Sequence, residues 1–149
     1  LTASSVVVDG AVSTAVQDIY NPMFTFIDDE FVKSGDTLEI EISGEFSGAG
    51  ANKRLYVFFG GATAASVISG IKETEAFTCK FRATSRGGAS QVWVSELLIN
   101  GKTIDVERST TAIGMGGSVP VTLKGRCDAG AGNTITVDRA ICRVIQSNL

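Results

Sequence analysis

Chemistry on a 149-residue chain needs a nucleophile, an acid–base pair or a metal cage, and this sequence supplies few of the parts. Histidine is absent, which removes the commonest general base, the commonest metal ligand and every triad built on an imidazole. Carboxylates gather at Asp28, Asp29 and Glu30, and again at Glu39, Glu41 and Glu45. The first group lacks the spaced ligands and the closing glutamate of a calcium loop, so it reads as a solvated turn. The second group occupies alternate positions of a strand, where the carboxylates share a wet face and do not oppose one another as acid and base. Repulsion among them calls for a basic strip, and Lys80 with Arg82 is the candidate, on a neighbouring strand or a neighbouring chain.

The remaining motifs are weaker. Gly114, Met115, Gly116 and Gly117 are no phosphate cradle, because the Lys-Ser/Thr pair is missing and no helix pattern follows. No serine lies in a Gly-x-Ser-x-Gly elbow. Cys79, Cys127 and Cys142 have no metal-binding spacing. Each falls in an expected strand, where a free thiol packs as a small hydrophobe; a bridge between Cys127 and Cys142 stays open as the alternative. Tyr56, Phe58 and Trp93 either line a sugar or peptide groove or pack in a core or interface. Packing is the expectation, since no polar cluster accompanies them. No catalytic residue, no cofactor and no metal site is expected.

These side chains sit on strands. Val, Thr and Ile together number 41 against seven Leu, with 17 Gly and two Pro, a composition that favours strands joined by glycine turns. The clearest pattern covers 37–46: Leu38, Ile40, Ile42 and Phe46 face one way, Thr37, Glu39, Glu41, Ser43 and Glu45 the other. Burial of those four apolar side chains gives about 1.5 to 3 kcal/mol each before entropy. Gly35-Asp36 is the preceding turn, with Asp36 capping its own backbone, and 23–28 is expected as the partner strand. In 54–59 both faces are apolar, Leu55, Val57 and Phe59 against Tyr56 and Phe58, which marks a central strand or a contact between chains.

Further strands are expected at 64–71, 75–84, 91–99, 118–127 and 134–145, the last with Ile135, Val137, Ile141 and Ile145 inward. Asn100-Gly101 predicts a type I′ hairpin with a return strand over 102–106, followed by a loop over 108–117. Residues 1–22 read as an N-terminal arm in which Val6, Val7 and Val8 form a short strand that must dock on something to avoid water. The expectation is an antiparallel β-sandwich of eight or nine strands, a single domain over 23–149 preceded by the arm.

Charge bounds the partners. The net charge is −3 with no dense basic run, which argues against nucleic acid. No segment approaches the 18 or so apolar residues of a membrane helix. Charged residues make up only 19% and mean hydropathy is +0.21, values that suit a subunit burying surface against copies of itself. Interface candidates are Val6, Val7, Val8, Tyr56, Phe58, Lys80 and Arg82.

Several segments together resemble the jelly-roll virion proteins of tailed bacteriophages: Phe24-Thr25-Phe26-Ile27, Val32 through Ile40 with its Ser34-Gly35-Asp36 turn, Ser43-Gly44, Asn52-Lys53-Arg54-Leu55, Gly60-Gly61, Val94, Asn100-Gly101, and Gly132-Asn133-Thr134-Ile135-Thr136-Val137. The similarity covers about 23–145 and is a spacing of turns and alternating strands. It implies a jelly-roll-like sandwich and a non-enzymatic virion structural protein. A capsid decoration or cement protein is the expectation, made in the host cytoplasm and carried on the capsid surface. Implied partners are a second or third copy in a homodimer or homotrimer, and the major capsid protein or another virion protein. A tail or fibre module that binds a receptor or glycan is the alternative.

Overall fold

The computed structural model describes residues 6–10, 13–48, 52–70, 74–128, 130 and 132–147. The described residues form ten strands and no helix. In chain order these are β1 (Val6–Asp9), β2 (Gln17–Phe26), β3 (Thr37–Ser47), β4 (Lys53–Phe59), β5 (Ala62–Ser69), β6 (Glu75–Gly87), β7 (Ser90–Ile99), β8 (Lys102–Thr111), β9 (Val119–Cys127) and β10 (Thr134–Ile145). One sheet has six strands in the order β1-β10-β3-β6-β7-β8, the other four in the order β2-β9-β4-β5. All pairings are antiparallel. Without β7 and β8 the sheets read β1-β10-β3-β6 and β2-β9-β4-β5, the chain passing repeatedly from one to the other. That is the eight-stranded jelly roll, and β7–β8 is a hairpin added to its six-stranded side.

The inward faces follow the alternation of the sequence. Leu38, Ile40, Ile42 and Phe46 are buried on β3, Leu55, Val57 and Phe59 on β4, and Trp93 and Leu97 on β7. An aromatic pair crosses the gap between the layers, Phe59 of β4 standing edge-on to Trp93 of β7 at 5.5 Å, while Phe46 stacks on Phe77 at 4.2 Å across β3 and β6 of one sheet. Trp93 is thus a core residue, its indole N–H donating to Thr111 Oγ1 at 3.0 Å. The Asn100-Gly101 turn has φ of 50° and 78°, as type I′ requires.

Four expectations change. Residues 23–26 do not pair with β3: they lie in β2, bonded to β9 in the opposite sheet. The link over 27–36 is a crossover. Asp28, Asp29 and Phe31 take positive φ and turn the Phe31 ring back into the core, stacked on Phe26 at 5.0 Å. The expected loop at 108–117 begins late, because β8 continues through Thr111, whose hydroxyl donates to Gln91 Oε1 at 2.8 Å. The described part of the expected arm is hydrogen-bonded into the sandwich. Val6–Asp9 pairs with β10, Val8 is buried in the chain's own core, and β2 runs across residue 22.

The fourth change is in β10. Ile135 and Val137 face inward as expected, but the register then slips: Val137 opposes Gly44 and Arg139 opposes Ser43. Asp138 is the extra residue of a β-bulge. Alternation restarts one residue late, so Ala140 is buried while Ile141, Arg143 and Ile145 emerge on the outer face. Gly44 faces this irregularity, and a Cβ there would lie 1.8 Å from the Thr136 carbonyl oxygen. Expectations falling on 1–5, 11–12, 49–51, 71–73, 129, 131 and 148–149 lie outside the described residues.

Candidate assembly interface

The outer face of the six-stranded sheet carries charge in stripes that run along the strands. Strand register places Glu39 opposite Arg82 and Glu41 opposite Lys80 across β3 and β6, and Lys80 opposite Glu96 across β6 and β7. The basic strip expected to answer the glutamates is therefore the adjacent strand of the same chain. The bulge in β10 adds Arg143 on the far side of β3, 3.4 Å from Glu39. Arg82 approaches the same carboxylate only to 3.9 Å. These pairs are loose and wet: the Arg82 and Arg143 side chains are 62% and 57% exposed, a setting in which an ion pair contributes about 0 to 1 kcal/mol. Lys80 makes no ion pair among the described residues. A trench of about 320 Å³ lies among Glu39, Glu41, Lys80, Arg82, Glu96 and Arg143.

Apolar side chains border this trench. Val94 is 44% and Val106 59% exposed, and Ile145 is also exposed. Val92, Leu98 and Ile141 are half-buried beside them. Most of this surface belongs to the β7–β8 hairpin, the element the jelly roll does not need for closure. The inward side of β8 is engaged differently. Asp105 accepts the Ile68 N–H at 2.8 Å and Ser109 donates to the Ala64 carbonyl, which closes the edge of β5.

The outer face of the four-stranded sheet is chemically self-contained. Tyr56 and Phe58 on β4 point outward, half-buried, with rings edge-on at 6.4 Å. The Lys124 ammonium lies 4.4 Å above the Phe58 ring and 3.4 Å from Asp18. Arg54 and Arg126, direct cross-strand neighbours, share Asp128 at 3.1 Å each. Each of these cations has a partner on its own chain.

Among the candidates, Lys80 and Arg82 stand on the trench, Tyr56 and Phe58 on the opposite face, and Val6, Val7 and Val8 on the sandwich edge, with Val7 exposed and Val8 buried. The structure does not bring these groups into one surface. Asp28, Asp29 and Glu30 form a turn in which Glu30 accepts the Ile27 N–H at 2.9 Å and Asp29 N–H donates to the Met115 carbonyl at 2.8 Å. Among the described residues no group of His, Cys, Asp and Glu is placed to hold a metal ion. The three cysteines are free thiols, with Cys127 and Cys142 on different sheets. Burial raises all three above the usual thiol range, Cys142 to about 11, so they stay protonated and poorly nucleophilic.

One polar residue escaped the sequence reading. Lys53 is wholly buried, its ammonium donating to the Gly48 carbonyl at 2.6 Å, and desolvation lowers its pKa. A lysine opening a strand reads as solvated; only its cross-strand position opposite Cys127 shows why it is covered.

No protein-family model matches the chain, and no curated protein sequence matches it. Among solved structures it is similar to an alginate lyase in complex with an alginate trisaccharide, at 10% identity and a TM-score of 0.35, covering 98% of this chain and all of that one. It is also similar to a galectin of Caenorhabditis elegans, at 13% identity and a TM-score of 0.29, covering 87% of this chain and 96% of that one.

Proposed function

We propose that this chain is a non-enzymatic structural subunit that works by association, a capsid decoration (cement) protein on the head of a tailed phage. One observation carries the reading: the β7–β8 hairpin, added beyond the jelly roll, presents exposed Val94 and Val106 next to a field of incompletely neutralised charge. Apolar groups ringed by charge are the composition of an association surface. The protonated thiols and the carboxylates spread along one strand face supply no activated nucleophile and no opposed acid–base pair.

Copy number in purified particles tests this. A count matching the capsomers of the shell supports decoration, a few copies per particle moves the chain to the tail, and absence from particles refutes a virion role. Receptor or glycan binding at a tail is the second reading, favoured by the trench, where carboxylates and cations together offer acceptors and donors to hydroxyl groups. Glycan-array binding lost on Lys80→Ala would turn the assignment to that reading.

A further inference from the structure

The charge stripes on the six-stranded sheet have a symmetry of their own. In the order β10, β3, β6, β7 they run positive (Arg143), negative (Glu39, Glu41), positive (Lys80, Arg82), negative (Glu96). Reflection about the line between β3 and β6 exchanges those two strands, level by level, with charges of opposite sign, and exchanges β10 with β7 so that Arg143 comes opposite Val94 and Glu96 opposite Ile141. A two-fold axis lying in the face, parallel to the strands along that line, performs this exchange between two copies packed face to face. β3 of each copy then meets β6 of the other, and β10 meets β7. An in-plane axis perpendicular to the strands would lay each stripe on itself, like charge on like.

We infer that a second copy of this chain docks on the outer face of the six-stranded sheet through a two-fold axis parallel to β3 and β6. The inference deepens the assembly reading and rests on it. Glu39 and Glu41 of one copy face Arg82 and Lys80 of the other, and the apolar rim around Val94 and Ile141 closes over the charges. The exposed guanidiniums of Arg82 and Arg143 have unused donors, and the trench gives the opposing arginines room. The edge of β8 is poorly suited to the same task. Antiparallel self-pairing centred on Val106 sets Asp105 against Glu107, and centring on Glu107 sets that carboxylate against itself, an arrangement that protects an edge from pairing.

Charge exchange tests the axis. Glu39→Lys/Glu41→Lys makes β3 positive, and Lys80→Glu/Arg82→Glu makes β6 negative. Each variant alone faces like charge across the two-fold, and its self-association is expected to weaken by roughly a hundredfold, about 2.7 kcal/mol. Mixing the two restores a dimer, and so does combining all four substitutions in one chain. Sedimentation velocity at low ionic strength reads the masses, and circular dichroism confirms the fold of each variant. Retention of the parent's oligomer by both single-strand variants overturns the docking face and leaves the assembly reading standing on another surface. A parent that is monomeric at every salt concentration overturns the inference, while the particle count decides the function separately.

Discussion

The two outer faces of this sandwich solve the problem of surface charge in opposite ways. On the four-stranded sheet, Asp128 holds Arg54 and Arg126, and Lys124 is held between Asp18 and the Phe58 ring. On the six-stranded sheet Glu39 is asked to serve both Arg82 and Arg143, Lys80 has no ion pair among the described residues, and exposed valines stand alongside. A face whose charges are satisfied internally gains little from a partner. One with loosely paired charge in self-complementary stripes gains both Coulomb energy and burial when a partner arrives. The contrast locates the association surface better than hydrophobicity does, since Tyr56 and Phe58 make the closed face the more aromatic of the two.

The largest effect is expected from disturbing the bulge that puts Ile141 and Arg143 outside. Gly44→Val would drive a branched side chain into the Thr136 carbonyl, and backbone overpacking of this kind is expected to cost about 3 kcal/mol; urea denaturation reads it. Next comes the layer shared by both faces. Unfolded thiols titrate near 9.0 while Cys79, Cys127 and Cys142 stay protonated in the fold. The native state therefore binds more protons above that pH, and stability falls as pH rises from about 9 toward the 11 of Cys142. Lys53 acts in the other direction: its lowered value in the fold lets stability rise as pH climbs toward 10.5, one amine against three thiols. Denaturation midpoints should decline through this window, and decline less in Cys142→Ala.

Smaller effects separate the two faces. Asp128→Ala leaves Arg54 and Arg126 as unneutralised cross-strand neighbours and is expected to lower stability by about 1 kcal/mol, a loss that added salt reduces. Glu39→Gln removes two long, exposed contacts and should shift stability by no more than about 0.5 kcal/mol. Equal losses in these two variants, measured by thermal melts at matched salt, would erase the distinction between a closed and an open face.

Most strands were legible because period-two alternation reports burial on one face directly: β3, β4, β6, β7 and β9 place their apolar residues as the pattern requires. Three features were not legible for identifiable reasons. Alternation is local, so it does not say that β2 crosses to the far sheet to join β9 instead of pairing with β3. A bulge shifts the phase without a signature in residue type, and Asp138 therefore hid the outward turn of Ile141 and Arg143. Burial of Lys53 depends on a carbonyl brought from Gly48 and a neighbour from β9. The candidate face was half visible: Glu39, Glu41, Lys80 and Arg82 were expected to meet, but the fourth stripe and the apolar hairpin required the register of β10 and the topology around β7–β8.

Sedimentation velocity at low ionic strength on two variants, one per face, decides which sheet carries the association. Lys80→Glu/Arg82→Glu alters the open face, and Tyr56→Thr/Phe58→Thr removes the aromatics of the closed face while keeping residues suited to a strand. Association through the six-stranded sheet predicts that the first variant sediments as a monomer and the second keeps the parent's mass. A first variant with the parent's mass beside a monomeric second variant would contradict it.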